Sequence, residues 1–277
     1  MGEIVKEMFD YMFAGGLFDQ LVNILTANPS KADSIYYTAW ELIVSTYDTY
    51  VVPIGLGLMI IWFLVAFVQK ASSEQMNFDQ IFLLFVKLIA AFYLMEHGLE
   101  LFSKLWGFGN SLMTDLMGGE KLGDATISQA ALNEAWKSLT AGKTYPDLPG
   151  FWRSLACFGQ LLFPWLLCAA LSGVASFIAY SRMIEMMLRV VAAPIALSDF
   201  FSEGLHSTGW RYIKTFLAIC LQGFMILLIA KIYSSIVGKI ITGGSFMELT
   251  VGFLVISFAA IALMFKSLSL CKEMVGA

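Results

Sequence analysis

The sequence predicts an all-α, polytopic membrane protein with about five transmembrane helices plus amphipathic and re-entrant helices. Composition carries part of that prediction: 58% of the 277 residues are hydrophobic and 14% charged, with a mean hydropathy of +0.75. Soluble domains carry roughly 25% charge. The rest comes from apolar runs of bilayer length between polar links, and from ionic residues gathered in one stretch, 182–222. Length alone allows one or two domains, and the recurring runs favour a single membrane domain. The formal charge of −4 argues against a nucleic-acid-binding domain, which needs a basic face. It leaves room for a conduit that nucleic acid passes through.

Residues 1–50 read as an amphipathic interfacial region. Over 3–14, Glu3, Lys6, Glu7 and Asp10 fall on one side of a helix, with Ile4, Met8, Met12, Phe9 and Phe13 elsewhere, and Gly15-Gly16 ends it. A second short helix, 17–27, stops at Asn28-Pro29. Both suit the membrane interface and neither is long enough to span. The N-terminus lacks a basic n-region and an apolar core, so insertion is expected to rely on internal segments. A third helix starts near Asp33-Ser34, good capping types, and carries Tyr36, Tyr37, Trp40, Tyr47 and Tyr50 at headgroup level.

Residues 51–95 hold the first two transmembrane helices. VVPIGLGLMIIWFLVAFV, 51–68, has 18 uncharged residues, about 27 Å of helix. Pro53 is placed in its first turn, where a missing N–H costs little. After the polar link 69–79 comes 81–95, with Lys87 near its middle. A central lysine costs about 2.5–3.5 kcal/mol on insertion scales, so Lys87 should face protein or water, or snorkel along its own stem. Residues 96–153 form a long extracytoplasmic loop with one amphipathic segment, 99–117.

Residues 154–277 form the C-terminal membrane region, three spans plus a half-embedded helix at 183–197. The first span, 155–179, has Pro164 as a kink and Ala169, Gly173 and Ser176 at spacings that allow close helix contact, within one chain or between copies. On 183–197, Arg182, Glu185 and Arg189 share a stripe, with Glu185 and Arg189 at i,i+4. A lipid-facing span would not keep that stripe, so it should face water or a partner, with Pro194 ending or kinking the helix. The span 213–237 carries Gln222 inside and Lys231 near its far end. The last, 249–265, follows a Gly243-Gly244 turn and precedes the tail 266–277.

Five spans place the N-terminus and the 96–153 loop on one side. Lys70, Arg182, Arg189, Arg211, Lys214, Lys266 and Lys272 then lie in the short segments of the other. Short-loop lysine and arginine mark the cytoplasm, so the N-terminus is expected outside and the C-terminus inside. If 183–197 crosses completely, six spans put both ends on one side.

No catalytic constellation is present. Ala141-Gly142-Lys143-Thr144 resembles the end of a phosphate loop, but Lys137 stands where the first glycine belongs and no strand precedes it. Cys157, Cys168, Cys220 and Cys271 are scattered, without metal or disulfide spacing. His97, with Glu96 and Glu100, and His206 lie at polar helix ends. No enzymatic activity, metal or cofactor is expected.

Two runs carry a resemblance. These are Arg189-Val-Val-Ala-Ala-Pro194-Ile-Ala, and, after a polar turn, Trp210-Arg-Tyr-Ile-Lys214-Thr-Phe-Leu-Ala with Leu221-Gln222-Gly223. With the aromatic-rich N-terminal region and the long loop between the second and third spans, they resemble the polytopic subunit of type IV secretion and conjugative transfer machines. This is the TrbL-like class that includes the sixth VirB protein, in the form found in Gram-positive conjugative elements. The likeness is close over about 40 residues and loose over most of the chain; the short central loop and acidic charge are departures. The resemblance implies a non-enzymatic structural component that forms a homo-oligomeric ring or conduit in membrane lipids. It also implies a part in pilus or channel assembly, contact with other machine subunits including a coupling or assembly ATPase, and transient contact with transferred single-stranded DNA. Lys87, Glu185, Arg189, Arg211, Lys214 and Gln222 are then candidate subunit-facing or pathway-facing residues.

Two other readings stand beside it. A small secondary transporter or ion channel would want paired intramembrane charges and an inverted repeat, and no second copy is visible. A scaffold in another membrane complex is the other.

Overall fold

The computed structural model describes residues 2–13, 18–72, 78–118, 150–199, 207–241 and 246–277. The Gly15-Gly16 stop, most of the 96–153 loop, the polar turn with His206 and the Gly243-Gly244 turn lie outside the described residues. Every regular element among the described residues is helical, and the fold is all-α and polytopic. The helices are α1 (Gly2–Phe13), α2 (Asp19–Thr26), α3 (Tyr37–Thr46), α4 (Val52–Ser72), α5 (Phe78–Glu96), α6 (Gly98–Met117), α7 (Gly150–Leu197), α8 (Thr208–Ile241) and α9 (Phe246–Val275).

Four stretches are long and apolar enough to cross a bilayer: Tyr37–Ser72, Leu162–Leu197, Thr208–Val237 and Val251–Val275. A fifth exists if Ile81–Glu96 and Gly98–Met117, bent by 64°, form one broken span. The expected span 81–95 is therefore coupled to 99–117, which the sequence reading placed in the loop. α6 carries Glu100, Lys104 and Asp115, yet Phe102 and Trp106 on it are buried.

The division of 155–197 into a span and a separate half-embedded helix differs from the structure, where α7 is one helix of 48 residues. That is about 72 Å, over twice a ~30 Å hydrocarbon core. Nothing between 179 and 183 breaks a helix: Tyr180-Ser181-Arg182 is polar but contains neither glycine nor proline. The helix also runs through Pro164 and Pro194.

Pro53 lies in the first turn of α4, as expected, but that turn continues a helical stretch from Tyr37. α3 joins α4 through a π turn, Tyr47–Val51, in which the Val52 N–H bonds the Tyr47 carbonyl. Proline removes a ladder donor and crowds the carbonyl four residues back. The wider π turn sits at that carbonyl, which belongs to Thr49. Upstream, the Ser34 hydroxyl accepts the Tyr36 N–H at 3.3 Å, so the expected capping serine sits just before α3.

The chain has two compact units, and α6, α7, α8 and α9 each contribute residues to both. One comprises Met1–Thr26, Leu112–Ser181 and Gly223–Ser267. Within it, the apolar face of α2 is covered by protein: Leu21, Ile24 and Leu25 are buried, and the Phe18 ring meets Tyr233 edge-on at 5.0 Å. Tyr233 shares a hydrogen bond with Ser257 at 2.9 Å, tying α8 to α9. The Lys231 ammonium donates to the Leu116 carbonyl at 2.9 Å, in the last turn of α6 where a cation complements the helix dipole.

The other unit comprises Ala27–Ser111, Arg182–Gln222 and Leu268–Ala277. Met59, Leu84, Ala91 and Met95 form an α4–α5 seam, flanked by Leu56, Phe63, Ala66, Phe67 and Leu88. The outer faces of the same two helices, including Ile61, Trp62, Val68, Phe82 and Ile89, are exposed. That suits lipid. α6 packs on α8 through Phe102 and Phe216, 4.6 Å apart. The two also approach closely at Gly109, where a Cβ would lie 3.1 Å from the Cys220 carbonyl oxygen.

Candidate functional site

Among the described residues, the buried charged side chain is Arg182 on α7, only 2% exposed. Its Nε donates to the Ile219 carbonyl at 3.1 Å and its Nη2 to the Cys220 carbonyl at 3.2 Å, both on α8. Nη1 reaches the Met183 sulfur at 3.6 Å. Helical carbonyls keep a second lone pair after their ladder bond, so both acceptors have capacity for the guanidinium. Among the described residues no carboxylate pairs with Arg182. Hydrogen bonds to a charged group contribute about 1.5–3 kcal/mol each, and burying a charge costs several kcal/mol. The carbonyls therefore offset the burial of Arg182 rather than turn it into a large gain.

One turn further along, Glu185 and Arg189 form an i,i+4 pair, Oε1 to Nη2 at 2.8 Å and to Nε at 3.0 Å. Both side chains are partly exposed, at 36% and 25%, so the pair contributes little stability, of order 0.3–0.5 kcal/mol. The Arg189 backbone carbonyl accepts the hydroxyl of Tyr212 from α8. Hence α7 sends a side chain to the α8 backbone at Arg182, and α8 returns one at Tyr212, about two turns away.

Pro194 is buried on the same helix. A Cβ on Gly55 would fall 2.8 Å from its carbonyl oxygen and 2.9 Å from its Cβ. Only glycine allows α4 so close to α7 at that crossing. Lys214 extends to the Gly276 carbonyl at 3.3 Å, where the chain turns at positive φ. Arg211 is exposed, and its backbone caps α8 through Ser207. Gln222 is 6% exposed. Lys87 is half-buried on α5, and among the described residues its ammonium makes no ion pair. The structure joins Glu185 to Arg189, and among the described residues no ion pair links either to Lys87, Arg211 or Lys214.

Ala169 and Ser176 are half-buried and Gly173 is exposed. Nothing lies within 4 Å of a Cβ built on Gly173. Phe163, Leu166, Ala170, Gly173 and Phe177 make one exposed stripe on α7.

The residues that sequence reasoning missed are Tyr212, Tyr47 and the burial of Arg182. The last had a signal: Arg182 is in register with Met186, Val190, Ala193 and Leu197, which are buried, whereas Glu185 and Arg189 flank that stripe. Among the described residues no group of three histidine, cysteine or acidic side chains could hold a metal. His97 lies 4.0 Å from Glu100, itself paired with Lys104 at 2.7 Å.

The family model described as TrbL/VirB6 plasmid conjugal transfer like protein matches residues 20–194. No curated protein and no solved structure matches the chain.

Proposed function

We propose a structural role in a transfer machine, on the premise that this chain belongs to the TrbL/VirB6 plasmid conjugal transfer-like family. It is a multi-pass membrane component of a conjugal transfer system. In our reading, copies assemble as a ring that forms the conduit for transferred DNA or protein and supports pilus or channel assembly. The match over 20–194 carries this reading. It takes in Lys87, Glu185, Arg189 and Pro194 and ends before Arg211, Lys214 and Gln222.

The exposed α7 stripe supports contact between copies. Small residues let helix backbones approach closely in lipid, and the space beside Gly173 is open. Lys87, with its ammonium unpaired among the described residues, suits a neighbouring subunit or the transfer path. Other machine subunits, a coupling or assembly ATPase among them, meet the cytoplasmic segments near Arg211 and Lys214 in this reading, and single-stranded DNA contacts the assembly transiently. Deleting the gene from its element should abolish mating, and the wild-type chain should restore it. Gly173→Cys should then give a disulfide-linked dimer in membranes of mating-competent cells. Restored mating without any such dimer would remove the α7 stripe from the ring.

The bent α5–α6 pair favours one other reading, a small secondary transporter or channel, since such proteins use broken helices. Substrate or ion flux by the purified chain in liposomes would support it; a flux-negative but mating-essential chain excludes it.

A further inference from the structure

α5 ends at Glu96 and α6 starts at Gly98, with His97 between them. The Tyr47 hydroxyl, from the π turn before α4, donates to the Met95 carbonyl at 3.0 Å. The His97 N–H bonds the Tyr93 carbonyl and the Leu101 N–H bonds the His97 carbonyl. The bend falls between these two bonds, where the Tyr47 oxygen meets Met95. Insertion of a side chain into the ladder is an established cause of sharp helix bends.

Space for that oxygen depends on Gly98. A Cβ there would lie 2.5 Å from the Tyr47 hydroxyl oxygen but 3.7 Å from its Cζ. The first distance is a collision and the second an ordinary contact. Tyr47 is 1% exposed, so its ring is fixed. The π turn that supplies it comes just before Pro53. Tyrosine, glycine and π turn form one device.

We propose that Tyr47 is a latch. Its hydroxyl engages the Met95 carbonyl and holds α5 and α6 at 64°, and the pair straightens when the hydroxyl withdraws. A subunit that can alternate between a broken and a straight helix at one oxygen has a built-in conformational step. The alternative is that Gly98 alone makes the bend through weak helix propensity.

The test uses the full chain in lipid nanodiscs, with Cys157 replaced by serine (Cys168, Cys220 and Cys271 are buried). Spin labels go on Phe82→Cys and Ser111→Cys, two exposed positions flanking the bend. Helix geometry makes a straightened pair about 6 Å longer between these sites than the bent one. Tyr47→Phe should shift the distance distribution toward the longer value, and so should Gly98→Ala, which displaces the hydroxyl. In the Tyr47→Phe background, adding Gly98→Ala should cost far less thermal stability than it does alone. An unchanged distance in either single variant, or an equal cost of Gly98→Ala in both backgrounds, would overturn the latch.

Discussion

Arg182 and Tyr212 clamp the same two helices in opposite directions. Arg182 on α7 donates to the carbonyls of Ile219 and Cys220 on α8, and Tyr212 on α8 donates to the carbonyl of Arg189 on α7. Each helix thereby lends a side chain to the other's backbone. Registry between them is fixed at two points, without relying on an ion pair.

Removing one clamp should be measurable. Tyr212→Phe keeps the ring against Phe102 and deletes only the donor, so it should lower stability by about 1 kcal/mol. Arg182→Met should be milder than Arg182→Lys. Methionine removes a buried charge, whereas lysine keeps the charge and loses the planar fork that reaches two carbonyls. Thermal unfolding in detergent ranks the variants; lysine tolerated better than methionine would contradict the clamp.

The crossing at Gly55 and Pro194 gives a paired control on one helix. Gly55→Ala forces a Cβ into the Pro194 backbone and should cost about 1–3 kcal/mol. Gly57→Ala meets nothing within 4 Å and should be neutral, or gain up to about 1 kcal/mol from helix propensity. Pro194→Ala should reduce transfer more than it reduces protein abundance, by mating assay and immunoblot. Equal losses would mean that the proline matters only for folding.

Lys87→Leu should insert normally and reduce transfer frequency at least tenfold. Unchanged transfer would show that Lys87 merely extends along its stem toward the headgroups.

An N-outside, C-inside arrangement predicts that Ala130→Cys reacts with an impermeant maleimide on intact cells, in a background with Cys157 replaced by serine. Protection of that thiol until the cells are opened would reverse the orientation.

The helical, membrane-embedded character of the fold was legible because it follows from hydropathy and periodicity alone, as in the 51–68 run. The Glu185–Arg189 pair was legible for the same reason, since i,i+4 spacing is local. What was hidden depended on acceptors far along the chain. The sequence around Arg182 suggests a polar boundary, and only the Ile219 and Cys220 carbonyls make burial tolerable, so 183–197 read as a separate element instead of the end of α7. Pro53 was legible as a first-turn proline, but the π turn that joins its helix to α3 has no sequence signature. The contact at the α5–α6 bend was invisible because Tyr47 lies 48 residues before the carbonyl it bonds.

The account rests on assembly of copies into one membrane conduit. Native mass spectrometry of the chain extracted with its lipids from mating-competent cells tests this most directly. A closed ring predicts one dominant species at an integral multiple, three or more, of 30.7 kDa, lost when Gly173 is replaced by Trp. A dominant 30.7 kDa species from cells that still mate would contradict it.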